Sequence, residues 1–156
     1  MAPSKLPGKV IGWREFIDLP DLCPVPIKAK IDTGARTSAL HAFGLRVKEV
    51  EGIPVARFEI HPVQRSSQRA VRVAVPVHRW RRVKSSNGVT ERRPSIITRA
   101  HVGSTAWDIE LTLTSRDTMG FRMLLGRSAI RGRFLVHPSR SFILSERPQQ
   151  VKRGSQ

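Results

Sequence analysis

Asp32-Thr33-Gly34-Ala35 closes the apolar-edged run Ile27-Lys28-Ala29-Lys30-Ile31, and far downstream Met123-Leu124-Leu125-Gly126-Arg127 supplies an apolar pair, a glycine and a cation. A carboxylate set in a glycine loop at the end of a strand suits proton transfer. Amide hydrolysis without a metal or a strong nucleophile needs one group to take a proton from water and another to give one to the carbonyl oxygen. Two carboxylates about 3 Å apart do both, because they cannot both ionise readily and one stays an acid beside the other's base. The chain has one such loop. A complete site of this kind requires two chains, and its apparent pKa values belong to the pair.

The elements that must position these residues read as mainly β. Short β-rich runs alternate with turn signals, and no sustained 3.6-residue periodicity, internal repeat or heptad pattern appears. Strands are expected over 10–16 and over 27–31, the second delivering Asp32 at its end. Residues 45–50 and 55–60 flank Glu51-Gly52-Ile53-Pro54 as a hairpin, and 71–77 alternates apolar with polar. Trp107, Ile109, Leu111 and Leu113 fall on one face of a strand whose other face carries Asp108, Glu110, Thr112 and Thr114. One short helix is expected over 127–131, ended by Gly132 and followed by strands over 134–136 and 142–144. Ser85-Ser86-Asn87-Gly88 is the best hairpin tip, since Asn-Gly suits a type I′ turn, with strongly basic arms over 79–84 and 90–93.

The 156 residues suit one domain over 9–146, with loose ends at 1–8 and 147–156. Lys and Arg number 28 against 12 Asp and Glu, a formal net charge of +16, which favours an acidic partner, RNA or an anionic substrate. The solitary Cys23 excludes an internal disulfide and fits a reduced, cytoplasmic setting. No signal peptide or 18-residue apolar run is found, so a soluble protein with no membrane partner is expected. The histidines at 41, 61, 78, 101 and 137 lack metal-site spacing, and neither a His-Glu-x-x-His nor a Gly-rich Lys loop is present. Trp13 and Trp107 suit the core, Trp80 sits amid basic residues, and His41 reads as a packing or surface histidine. The Arg79–Arg82 run reads as a solvated face, and Asp108 and Asp117 as turn or ion-pair residues.

Beyond these motifs, the chain resembles the retropepsin-like proteins that carry the name ATP-dependent zinc protease and are linked to RimK-type glutamate ligases. The resemblance is carried by 11–15, by 27–42 around Asp32-Thr33-Gly34-Ala35-Arg36, by 107–117, and by 123–129 with 134–139. It implies a closed, barrel-like acid-protease fold and a homodimer in which two Asp32 carboxylates share a water. Thr33 is then expected to brace the loop across the dimer, and Gly34 to let backbone and water approach. Ala35, Arg36 and the hairpin tip Ser85, Ser86, Asn87 and Gly88 are expected to meet substrate. Leu124 and Leu125 should pack beneath the loop, with Gly126 beside it and Arg127 anchoring the short helix.

Two positions depart from the expected pattern. His137 stands where the family suggests an acidic residue. Arg36 stands where the retroviral pattern has a carboxylate, which leaves Asp108 or Glu110 to pair with Arg127 and makes position 36 a candidate contact for acidic side chains. The zinc and ATP of the family name find no ligands in the sequence, so no cofactor is expected. The resemblance implies an aspartic peptidase acting on acidic, glutamate-rich or glutamate-modified proteins, with ribosome or ligase association. The alternative is a non-catalytic basic module that binds RNA or an acidic ribosomal protein tail.

Overall fold

A computed structural model describes residues 8–64, 66–84, 87–115 and 120–146 of the chain. The proposed loose ends, apart from Gly8, lie outside these residues, as do Ser85, Ser86 and Asp117. The elements in order are β1 (Lys9–Gly12), β2 (Arg14–Ile17), β3 (Ile27–Asp32), β4 (Ser38–His41), β5 (Phe43–Val50) and β6 (Ile53–Ile60). They continue with β7 (Val71–Pro76), β8 (Arg79–Lys84), β9 (Thr90–Val102), β10 (Thr105–Thr114), β11 (Met123–Gly126), α1 (Arg127–Ile130) and β12 (Phe134–His137). The described residues are mainly β with one short helix.

The expected closed barrel is not found. Among the described residues the strands form a seven-stranded sheet in the order β2-β3-β11-β4-β10-β9-β8, a three-stranded sheet β5-β6-β7, and a parallel pair β1-β12. The first sheet stays open because its outer strands, β2 and β8, each pair on one side only. Its centre is mixed: β11 runs parallel to β3 and antiparallel to β4, while β4 runs parallel to β10. Period-two alternation places Ile27, Ala29 and Ile31 in the core and leaves Lys28, Lys30 and Asp32 half-buried on the other face of β3. Ile17, Leu40, Ile96, Leu111, Leu113, Met123 and Leu125 complete a continuous apolar interior. Burying each such aliphatic side chain contributes about 1.5–3 kcal/mol.

Four local expectations need correction. The strand over 10–16 is two strands, because the chain turns at Trp13 to change partners. β1 pairs with β12 and β2 with β3, and Trp13 N–H donates to the Arg140 carbonyl at 3.0 Å. Residues 142–144 form no strand. Phe142 N–H donates to the Arg14 carbonyl at 2.9 Å, and the amides that follow are captured by the fully buried carboxylate of Glu15, which accepts N–H groups from Ile143 (3.0 Å), Leu144 (3.2 Å) and Ser145 (3.0 Å), the Ser145 hydroxyl (2.6 Å), and Gly12 N–H (2.6 Å). Trp13 is half-buried, not core: the Arg14 guanidinium lies 4.7 Å from its ring centre and Phe121 meets it edge-on. Trp107, by contrast, is buried against Phe134. The helix ends one residue early, at Ile130, with Gly132 at φ +77° just beyond.

Candidate active site

The Asp32 loop is built by the parallel pairing of β3 with β11. The register sets Leu125 beside Ile31 and Gly126 beside Asp32. Gly126 has to be glycine, since a Cβ there would lie 2.5 Å from the carbonyl carbon and oxygen of Thr37. Its N–H donates to the buried Ser38 hydroxyl at 3.0 Å. The turn of α1 then captures the carbonyls of the loop: Arg127 N–H donates to Ala35 O at 2.7 Å and Ser128 N–H to Arg36 O at 3.1 Å. The Arg127 side chain reaches Thr33 O at 2.9 Å. Within the loop, Gly34 N–H donates to Asp32 Oδ1 at 2.9 Å, and a Cβ on Gly34 would sit 3.2 Å from that same oxygen. The loop therefore fixes one oxygen of a half-exposed carboxylate, with Thr33 and Gly34 at the surface. Asp32 forms no ion pair with any described residue.

Gly126→Ala is expected to cost about 1–3 kcal/mol or more, because the obstructing atoms are backbone and cannot swing aside. Urea unfolding monitored by tryptophan fluorescence measures this; an unchanged midpoint would show that α1 and the loop are not held as described.

Several expected positions fall differently. Leu125 is fully buried beneath the loop, but Leu124 points to the opposite, half-exposed face, as alternation along β11 requires. Arg127 pairs with neither Asp108 nor Glu110; it bonds the Thr33 carbonyl. Asp108 is instead 3.3 Å from Arg99. Glu110 is gripped by Arg79 (3.0 and 3.0 Å) and Arg81 (2.7 and 2.8 Å), and it accepts the Ser95 hydroxyl at 2.6 Å. These two arginines are thus not part of a purely solvated face. They tie the base of the β8–β9 hairpin to β10.

The Arg81 contact above all, with Arg79 and Ser95, holds the Glu110 carboxyl well below the usual carboxylate range. A lowered folded-state pKa gives stability that is present above the unfolded value, about 4.3, and is lost as pH falls from there towards the folded value. Amide exchange in the hairpin base should therefore accelerate only below about pH 4, and Glu110→Gln should remove that acid-dependent step. An identical profile in the variant would assign the step to another group.

Asn87 and Gly88 close the β8–β9 turn, with Gly88 at φ +85° and Asn87 Oδ1 accepting Val89 N–H at 3.2 Å. Along the sheet, β11, β4 and β10 separate β3 from β9. The fold thus brings together Asp32, Thr33, Gly34, Ala35, Arg36, Gly126 and Arg127. It carries the hairpin on the far side of the same sheet, and Arg36 is exposed.

Sequence reasoning missed Ser38, which holds Gly126 with its hydroxyl while its carbonyl accepts Thr112 Oγ1 at 3.0 Å. β4 was not expected as a strand, since all four of its residues are buried and show no alternation. His41 is buried and stacked on Phe43 at 3.9 Å between ring centres, with His61 on the other side of Phe43 at 3.6 Å. At His137, Nδ1 accepts N–H groups from Ser139 (3.2 Å) and Arg140 (3.1 Å) and closes the turn that follows β12. Among the described residues no three His, Cys, Asp or Glu side chains converge as zinc ligands do, so the donor set does not fit that metal. No described helix is long and apolar enough to cross a membrane.

A mainly β domain whose Asp-Thr-Gly loop is laid on an apolar-Gly-Arg strand and locked by the next helical turn defines the retropepsin-like, aspartic-protease-like class. The model of one family within that class, the retropepsin-like aspartic endopeptidase RimB, matches residues 10–147, and the chain belongs to this RimB-like family. Relatives include the probable alpha-L-glutamate ligases of Shewanella pealeana, 46% identical over 138 residues, and of Parasynechococcus marenigrum, 42% identical over 137 residues. Each match covers 88% of this chain, but only 30% and 29% of the respective relatives, so the chain spans less than a third of their length. Among solved structures, a Legionella pneumophila protein with unknown function is similar at a TM-score of 0.69 and 26% identity, over 87% of this chain and 98% of that one.

Proposed function

We propose that the chain is an aspartic peptidase, active as a homodimer, that hydrolyses peptide bonds in acidic, glutamate-rich or glutamate-modified proteins. The observation that carries this reading is the Asp32 loop itself: one carboxylate, half-exposed and oriented by Gly34 N–H, on a support that only glycine at 126 permits. With Asp32 of the partner subunit across a two-fold axis, the ionised carboxylate takes a proton from water as the water oxygen attacks the carbonyl carbon. The protonated carboxyl gives its proton to the carbonyl oxygen. Collapse of the tetrahedral species breaks the C–N bond as the nitrogen is protonated, and two termini leave. No metal or covalent intermediate enters this sequence.

The substrate class rests on charge and on company. Arg36 is exposed four residues beyond Asp32, and Lys28 and Lys30 share the Asp32 face of β3, so the residues flanking the carboxylate along the chain are cationic. The relatives named as probable glutamate ligases support a glutamate-bearing substrate, since a region like this one shares a chain with an enzyme named for joining glutamate.

The test is mass-spectrometric cleavage of a peptide ending in oligoglutamate against a neutral analogue of equal length, with and without chelator. Products from the acidic peptide that persist with chelator support the reading. Equal cleavage of both peptides sinks the acidic preference, and products lost with chelator sink the metal-free mechanism.

A further inference from the structure

The β8–β9 hairpin is electrostatically two-sided. Its register sets Arg79 beside Ser95, Arg81 beside Arg93 and Val83 beside Glu91 on one face, and Trp80 beside Pro94, Arg82 beside Arg92 and Lys84 beside Thr90 on the other. On the first face every cation is matched. Arg79 and Arg81 share Glu110, and Arg93, itself buried, meets Glu91 at 2.8 Å. On the second face Arg82, Lys84 and Arg92 are all exposed, and none forms an ion pair with a described residue. Arg82 and Arg92 stand directly opposite one another, an arrangement that disfavours the sheet through like-charge repulsion. Trp80 remains 41% exposed beside them, with the Arg92 guanidinium 4.8 Å from its ring centre.

We propose that this face, Trp80 with Arg82, Lys84 and Arg92, is a binding surface for single-stranded RNA. The unmatched cations supply phosphate contacts, spaced two strand residues apart, about 6.6–6.8 Å, along β8 from Arg82 to Lys84. The exposed indole, flanked by a guanidinium, supplies a platform on which a base stacks, a contact that tolerates any sequence because every base has a π-face. An acidic peptide satisfies the three cations but gives the indole nothing to stack against, which is why RNA is favoured over a second peptide subsite. The surface shares no residue with the Asp32 loop, so the proposal does not depend on the peptidase reading.

Fluorescence anisotropy of a labelled oligouridylate, titrated with the full chain over a range of salt concentrations, tests it, with a labelled oligoglutamate of equal charge in parallel. The RNA is expected to bind more tightly than the peptide, with log K falling against log salt at a slope of roughly −2, the value for three phosphate contacts on a single strand. Trp80→Ala should weaken RNA binding by roughly fivefold or more while Trp80→Phe restores most of it. The double variant Arg82→Ala/Arg92→Ala should weaken it further and flatten the salt slope. Arg46→Ala, which removes one cation from the three-stranded sheet, should leave binding nearly unchanged, and Asp32→Asn should not alter it. The altered side chains are exposed, and circular dichroism checks that each variant is folded. Equal or tighter binding of oligoglutamate, indifference to Trp80→Ala, or an equal loss in Arg46→Ala would each overturn the assignment.

Discussion

Asp32→Asn is expected to lower turnover of an acidic peptide by about a thousandfold or more while leaving substrate affinity and the unfolding midpoint close to wild type. An amide in place of the carboxylate can still accept the Gly34 N–H through its oxygen, so the loop keeps its shape. What is lost is the proton economy of the pair, in which one group takes a proton as the other gives one. Because a two-fold site takes one carboxylate from each chain, subunit exchange adds a sharper test. Mixing equal amounts of wild type and Asp32→Asn and allowing exchange should reduce the activity of the mixture to about half, since only wild-type pairs work. Activity that stays proportional to wild-type chains would show that each chain carries a complete site, and a second carboxylate would have to come from the same chain. Full turnover by the variant would remove Asp32 from the chemistry and leave the domain as a binding module.

Glu15→Ala should produce the largest loss of stability. Glu15 is wholly buried, and its two oxygens accept from the backbone N–H groups of Gly12, Ile143, Leu144 and Ser145 and from the Ser145 hydroxyl. Removing the carboxylate strands these donors away from solvent, and a buried group deprived of its charged partner costs about 3–5 kcal/mol. For a chain of this size that corresponds to a fall in Tm of roughly 6–20 °C. Glu15→Gln keeps one acceptor oxygen and should recover part of the loss. The consequence extends beyond β2, because the segment over 141–145 is fastened there and Phe142 stacks on Phe16 at 5.0 Å between ring centres. Scanning calorimetry measures the stability, and limited proteolysis near residue 143 reports whether the segment is released. A variant as stable and as protected as wild type would mean that these amides find water or other partners at little cost.

These two carboxylates also show how differently function and architecture were written. Asp32 was legible at once, because a strand with alternating apolar residues ending in Asp-Thr-Gly is a local pattern, and its downstream partner is equally local. Glu15 stood only as the last residue of the 11–15 run, with no role to mark it. It sits in a strand among polar and apolar neighbours, and its five donors come mostly from residues about 130 positions away. The strand expected over 142–144 failed for the same reason: its composition suits a strand, but only Phe142 N–H meets a strand carbonyl, that of Arg14, and the next amides are taken by a side chain. The arginines at 79 and 81 looked like solvated charge until β9 and β10 brought Ser95 and Glu110 beside them.

The sequence by itself determined the mainly β character, the positions of β3, β6, β7 and β10 to within a few residues, the short helical turn, and the loop that carries Asp32, since alternation, turn residues and motif order are properties of neighbours along the chain. Tertiary structure alone decided that the sheets remain open, that Gly126 lies against the Thr37 backbone, that Ser38 holds the support strand, and that Arg127 bonds a loop carbonyl. It also decided which face of the basic hairpin keeps its charges unmatched. Each of these depends on which strand lies beside which and in what register, and pairing between residues tens of positions apart is fixed by burial and hydrogen-bond satisfaction over the whole domain.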